Sequence, residues 1–200
     1  MPDFDEDVRE RLVWSSPTSA VELSTVSGYI AAPVAALGLT LLSAYADDDL
    51  SWARAIDDEL PILEAATYSA LLNQAVKLSV ARERPYAVFA TKPITPTVDS
   101  HLSFFSGHTT LGFALAVSAG EVAHRRHSRY EPAIWAIGLS LATVTGYLRI
   151  AGDEHAASDV LVGAAVGSLA GYFVPRLLGT LPRSLVVAPT ADGLAVAGHW

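Results

Sequence analysis

The sequence predicts an all-α fold: a multi-helix transmembrane bundle of about five spans, with an acidic N-terminal segment and a C-terminal β-hairpin. Three observations predict it. Apolar residues make up 51% of the 200 and charged residues 17%, with a mean hydropathy of +0.34, which is too apolar for a disordered chain and unusual for a soluble one. The apolar residues are gathered into long runs without charge. The charge itself is segregated: residues 1–64 carry 13 acids and 3 bases, residues 65–200 carry 8 and 10. The length allows one main domain, divided as an acidic interfacial segment (1–25), a helical membrane domain (26–180) and a tail (181–200). A net charge of −8 argues against a nucleic-acid partner. The absence of cysteine excludes disulfides, thiolate metal sites and cysteine nucleophiles.

Each element follows from the local pattern. Residues 1–25 contain Asp3, Asp5, Glu6, Asp7 and Glu10 before any apolar stretch, whereas a signal peptide needs a basic start and then an apolar core, so no cleaved leader is expected. Residues 26–46 run for 21 positions without a charge; at about 1.5 Å per residue they match a hydrocarbon core of about 30 Å. Residues 61–76 are apolar but carry Glu64, Asn73 and Gln74, and polar groups inside a span face a bundle interior or cavity because lipid cannot hydrogen-bond them. The stretch 86–103, with Pro93 and Pro96, reads as one long irregular connection. Runs at 105–120, 132–148 and 160–175 complete the five, each at or just below the usual minimum of about 17 residues. In the last run Gly163, Gly167 and Gly171 recur every four residues and line one side of the helix. A neighbour can approach closely there, and contact with a second copy of the chain is expected on that face. In the tail, two β-rich runs flank Thr190-Ala191-Asp192-Gly193, and Asp-Gly in that setting is a hairpin signal.

Three clusters carry chemistry. In the first, Lys77 and Arg84 are seven residues apart, almost two helical turns, so they are expected on one side of the second helix, with Pro85 opposing its continuation. Two long cations at a helix end can converge on one anion; alone they would equally satisfy the helix dipole and mark a membrane interface. In the second, Ser106-Gly107-His108 precedes an apolar helix. The first N–H groups of that helix make an anion site, Gly107 lets the backbone come close to the anion, and His108 has the intrinsic pKa to move a proton near neutrality. In the third, His155 and Asp159 are four apart, where a carboxylate can hold an imidazole in one tautomer, with Arg149 nearby. The same pair could be a structural hydrogen bond or two metal ligands. Asp153 and Glu154, adjacent in sequence, are poorly placed to complete a metal shell, so no metal is expected. Together the clusters suit phosphoryl transfer: cations and backbone N–H groups neutralise phosphate oxygens, one imidazole attacks, and another protonates the leaving oxygen.

Lys77-x6-Arg84-Pro85, then Ser106-Gly107-His108, then Arg149-x5-His155-x3-Asp159 resembles, in order and spacing, the three-part signature of the type 2 phosphatidic acid phosphatase superfamily. That superfamily contains membrane lipid phosphate phosphatases, soluble bacterial class A acid phosphatases and vanadium haloperoxidases. The resemblance covers about residues 60–176. Every charged position is filled; Phe105 stands where the family usually has proline, and the Gly146-Tyr147-Leu148 run lacks the serine that often precedes the third arginine. The resemblance implies that His155 is a nucleophile forming a phosphohistidine, Asp159 orients it, and His108 protonates the leaving group. Lys77, Arg84, Ser106, Gly107 and Arg149 would hold the phosphate, with no metal or cofactor. The implied substrate is a lipid phosphate or diphosphate such as phosphatidate, phosphatidylglycerol phosphate or a polyprenyl diphosphate.

All three clusters must lie on one membrane face. The five-helix reading permits this, because the second and fourth helices end where the third and fifth begin. The basic loop at 124–129 would then lie opposite, which suits the cytoplasm, and the resemblance favours an active site facing outward from the cell (inner) membrane. The alternatives are a soluble phosphatase or vanadium-dependent haloperoxidase with the same pocket, separated by cell fractionation and by the response to vanadate, and a non-catalytic membrane scaffold, which would trap no phosphohistidine.

Overall fold

In the computed structural model, the described residues are 2–91, 98–178 and the backbone of two short strands near the end. The helices are α1 (Asp3–Leu12), α2 (Pro17–Val26), α3 (Ala32–Ala46), α4 (Trp52–Val80), α5 (Pro85–Val88), α6 (Gly107–Arg125), α7 (Glu131–Ala151) and α8 (Ala157–Leu178). A π-helical turn, Ser27–Ala31, joins α2 to α3. The architecture is all-α, as the hydropathy pattern predicts.

The long helices begin where local chemistry permits. Pro17 and Pro132 occupy first turns, where a missing N–H costs nothing. Ser51 caps α4 by accepting a hydrogen bond from the Arg54 amide at 3.2 Å. Helix α6 is central and packs against α3, α4, α7 and α8. Small side chains let those neighbours close in: Ala114, Ala116, Ser118, Ala119 and Gly120 are all buried. One core forms where α3, α4, α6 and α7 meet, around Ala36, Ile62, Leu115, Ala119, Val122 and Ile134.

Among the described residues, three helices are long and apolar enough to cross a membrane: Pro17–Ala46, Glu131–Ala151 and Ala157–Leu178. Large apolar side chains face outward on them, among them Val26, Ile30, Val34, Leu42, Val144, Leu161, Leu169 and Phe173. Such a continuous apolar exterior suits lipid contact. Helices α4 and α6, read as spans from the sequence, fall outside that set. They run beside the others in the bundle, α4 carrying Asp57, Asp58 and Glu59 and α6 turning its small and polar residues inward.

The structure revises the sequence reading at three places. The first membrane helix starts at Pro17 instead of residue 26, because Glu22 lies on an exposed side and does not end it. The 1–25 segment is therefore not one unit: α1 folds back as a separate helix, and 17–25 is part of the rod. The glycine face of α8 is filled by α6 of the same chain, so it is not free for a second copy. A Cβ on Gly163 would stand 2.8 Å from the carbonyl oxygen of Ser106, the N-cap residue of α6, and a Cβ on Gly167 or Gly171 would stand 2.3 or 2.7 Å from a backbone oxygen of α6 itself.

Helix α4 extends to Trp52, nine residues before the expected apolar run starts at Pro61. Its early charges are anchored. Buried Asp58 accepts from Arg54 at 3.2 Å and from Arg126 at 2.7 Å, tying α4 to the end of α6. Near the chain end Val186–Thr190 and Gly193–Ala197 lie antiparallel, Thr190 opposite Gly193; the turn expected between them falls outside the described residues.

Candidate active site

The end of α4, the start of α6, the end of α7 and the start of α8 meet at one end of the bundle, so Lys77, Ser106, Gly107, His108, Arg149, His155 and Asp159 come together there with Arg84. Lys77, Arg84, Ser106, Arg149, His155 and Asp159 are all buried. A Cβ on Gly107 would lie 3.8 Å from Lys77 Nζ and 2.9 Å from Asn73 Oδ1, so the glycine leaves open the space between the helix start and the lysine. Asn73 is itself fixed, donating to the Phe105 carbonyl at 2.7 Å.

Lys77 and Arg84 do not converge by sharing a helix face. Helix α4 stops at Val80, and Ala81 takes a left-handed conformation (φ 49°) that reverses the chain. Arg84 then arrives on an extended segment. Its Nε donates to the Asp99 carbonyl at 2.9 Å, Nη2 to Asp99 Oδ1 at 2.9 Å and Nη1 to Glu154 Oε2 at 2.9 Å. Arg149, near the end of α7, donates to Ser24 Oγ at 3.2 Å and to the same Glu154 oxygen at 3.3 Å. One carboxylate oxygen thus bridges two guanidiniums, which is the demand that an equatorial phosphate oxygen would also make.

His155 lies just before α8, not within it. Its Nε2 is 3.4 Å from Arg84 Nη1 and its Nδ1 is 3.6 Å from Asp159 Oδ2. The closeness of His155 to Asp159 therefore comes from a helix cap. Asp159 Oδ2 reaches back to accept the Ala156 amide at 3.0 Å, the N3-to-N-cap bond of a capping box, and also accepts Ser103 Oγ at 2.6 Å. Burial, with the charges of Arg149, Arg84 and Lys77, holds His155 well below the usual histidine range. It is neutral near pH 7. With the Arg84 donor beside Nε2 and a carboxylate beside Nδ1, the favoured tautomer carries its proton on Nδ1 and leaves the Nε2 lone pair toward the cation.

His108 sits in the first turn of α6 with Nε2 buried and unpartnered among the described residues. Its ring packs against that of Tyr29, in the π-helical turn between α2 and α3, with centroids 4.2 Å apart and planes inclined by 47°. Gly28 allows the approach, since a Cβ there would meet His108 Cδ2 at 3.2 Å. No group of three or more metal-binding side chains occurs among the described residues.

Sequence reasoning missed several participants. Arg82, two residues before Arg84, faces Asp159 at 2.7 Å and Asp5 at 2.8 Å. Its spacing from Arg84 places it on the same face of an extended strand-like segment, a signal that the assumption of continued helix hides. Ser103 and Glu154 had no signal beyond their nearness to the motifs, and Tyr29 lies far from them in sequence. Asp5 and Arg9 had none at all.

A family model described as the PAP2 superfamily matches residues 58–183. A lipid A 1-phosphatase from Porphyromonas gingivalis is 29% identical over 179 residues, which is 88% of this chain and 36% of that protein. The chain thus spans about a third of that relative's length. The fold is similar to the crystal structure of a transmembrane PAP2-type phosphatidylglycerolphosphate phosphatase from Bacillus subtilis, with a TM-score of 0.64 and 19% identity, over 90% of this chain and 86% of that one.

Proposed function

The chain belongs to the PAP2 superfamily, and from that premise we propose that it is an integral membrane phosphatase that hydrolyses a lipid phosphate through a phosphohistidine on His155. The observation that carries this is the setting of His155: a neutral, buried imidazole whose Nε2 faces the Arg84 guanidinium 3.4 Å away, with a carboxylate behind its other nitrogen. A neutral imidazole with a free lone pair is a nucleophile, and three flanking cations draw a phosphate onto it.

In the first step His155 Nε2 bonds to phosphorus while the bond from phosphorus to the lipid oxygen breaks. Lys77, Arg84, Arg149 and the amides at the start of α6 carry the charge on the equatorial oxygens. Burial and the charges of Arg149, Lys77 and Arg84 push the pKa of His108 down to about 3. It takes up a proton with the incoming phosphate, whose negative charge offsets those cations, and gives it to the departing oxygen. The positive charge that forms on His155 is offset by Asp159. In the second step water attacks phosphorus, His108 takes a proton from it, and the phosphorus–nitrogen bond breaks to release phosphate. The cations already supply the neutralisation that phosphoryl transfer needs, so the reaction is expected to survive chelation.

The names of the relatives make a lipid A 1-phosphate and phosphatidylglycerol phosphate the first substrates to try, with phosphatidate and polyprenyl diphosphate beside them. The apolar exterior favours a substrate presented by a bilayer. The Arg125, Arg126 and Arg129 turn lies at the opposite end of the bundle, which favours a site on the outer face of the cell membrane. Purified protein with that panel, scored as released phosphate with and without EDTA, tests the reading. Hydrolysis should persist in EDTA, disappear in His155→Ala, and leave acid-labile label on His155 after rapid quenching. Full activity in His155→Ala would refute it.

A further inference from the structure

We propose that α1 is part of the catalytic apparatus, and that Asp5 is a positioning residue acting on His155 through Arg82 and Asp159. The inference rests on the phosphatase reading above and goes beyond it, since α1 lies outside the region matched by the family model.

Asp5 is 1% exposed, although its helix is otherwise strongly polar. Oδ1 accepts the Ser158 amide at 2.8 Å, and Oδ2 accepts Ser158 Oγ at 2.7 Å and Arg82 Nη2 at 2.8 Å. The other terminal nitrogen of Arg82 donates to Ser158 Oγ at 2.8 Å and to Asp159 Oδ1 at 2.7 Å. Asp159 Oδ2 is the oxygen that faces His155. One guanidinium therefore joins a carboxylate of α1 to the carboxylate behind the nucleophile.

One turn later on the same helix, Arg9 makes a two-point pair with Asp153, at 2.7 and 2.8 Å. Asp153 is fully buried and left-handed (φ 59°), a conformation that aspartate tolerates better than most side chains. Asp5 and Arg9 thus grip residues 158 and 153, on either side of His155. The loop between α7 and α8 is also held by bonds from the Glu154 and His155 amides to the Arg149 carbonyl and by the Ala156–Asp159 cap, and the two ties from Asp5 and Arg9 join that loop to α1.

The charges give Asp5 a second effect. Asp5, Arg82 and Asp159 together carry one net negative charge, which suits an imidazole that turns positive when phosphorylated. Without the Asp5 charge, Arg82 is balanced by Asp159 alone, and the group becomes neutral just as positive charge develops. The effect falls on the chemical step, because neither Asp5 nor Arg82 touches the groups that would hold phosphate.

The test compares wild type, Asp5→Asn, Asp5→Glu, Arg82→Met and the Asp5→Asn/Arg82→Met double variant in detergent, on whichever lipid of the panel wild type cleaves. Asp5→Asn should lower kcat about tenfold or more while KM and the inhibition constant of inorganic phosphate stay within about twofold. Asp5→Glu should recover most of the loss, and Asp5→Asn should add nothing in the Arg82→Met background. Unchanged kcat in Asp5→Asn, parallel changes in kcat and KM, additive losses in the double variant, or failure of Asp5→Asn to fold would each overturn the proposal. Failure of wild type on every phosphate ester would instead defeat the phosphatase reading, so the two failures are distinct.

Discussion

Gly167→Ala is the sharpest test of how the bundle holds the site together. A Cβ at this position would lie 2.3 Å from the Thr110 carbonyl oxygen, 3.0 Å from the Ala114 amide nitrogen and 3.0 Å from Phe113 Cβ. The nearest atom is backbone in the central helix, so no side-chain rotation relieves the clash. Reaching ordinary van der Waals distance requires α8 to move off α6 by about 1 Å. Overpacking of this kind costs about 1–3 kcal/mol, against a gain in helix propensity of up to about 1 kcal/mol, for a net loss of up to about 3 kcal/mol. The functional loss should be larger than the stability loss. Helix α8 carries Asp159 and α6 starts at Gly107, and a misplacement of about 1 Å between reacting groups can cost about 10²-fold in rate. Gly38→Ala is the control, since nothing lies within 4 Å of a Cβ there; it should be neutral or stabilising by up to about 1 kcal/mol. Unfolding midpoints in detergent and kcat on the cleaved lipid read both variants. A Gly167→Ala protein as stable and as active as wild type would refute the account of the α6–α8 contact.

Three further outcomes are expected. Gly107→Ala puts a methyl group 2.9 Å from Asn73 Oδ1 and close to Lys77; the inhibition constant of inorganic phosphate should rise about tenfold, or about 1.4 kcal/mol, with the fold retained. The depressed pKa of His155 means that the unfolded chain binds a proton there which the folded protein refuses. Its contribution to stability is thus full above about pH 6.5 and is lost as pH falls below it, by up to about 1.4 kcal/mol per pH unit. The stability of wild type relative to His155→Asn should therefore decline between pH 7 and 5, and a constant difference would count against a neutral buried imidazole. Ser103→Ala removes a 2.6 Å hydrogen bond from fully buried Asp159; the unfolding midpoint should fall by the equivalent of about 1–3 kcal/mol.

What the sequence made legible were features set by short-range pattern. Uncharged runs located the helices, because a bilayer admits only segments whose backbone is satisfied internally. The three clusters located the candidate site, because the cations, the helix start and the histidines keep fixed spacings within each cluster. The errors arise where tertiary contact decides. The spacing of Lys77 and Arg84 fits one helix face, yet a left-handed Ala81 ends the helix between them, with no glycine to announce it. The glycine stripe of α8 correctly signals close approach but cannot say whether the approaching helix is in the same chain. The segment 1–25 reads as interfacial because its charges look solvated, and α1 is indeed mostly exposed, but a single buried carboxylate redefines it. The buried cations at the site explain why such a carboxylate belongs there. Arg82, Arg84 and Arg149 leave water only beside anions, and the ones they meet are Asp5, Asp99, Glu154 and Asp159. Splitting the charge at residue 64 gives an acidic front and a mildly basic working region, and that division separates groups the fold joins. Asp5 lies 77 positions from its arginine, and no local pattern can report a pairing whose only cause is the cost of burying a charge alone.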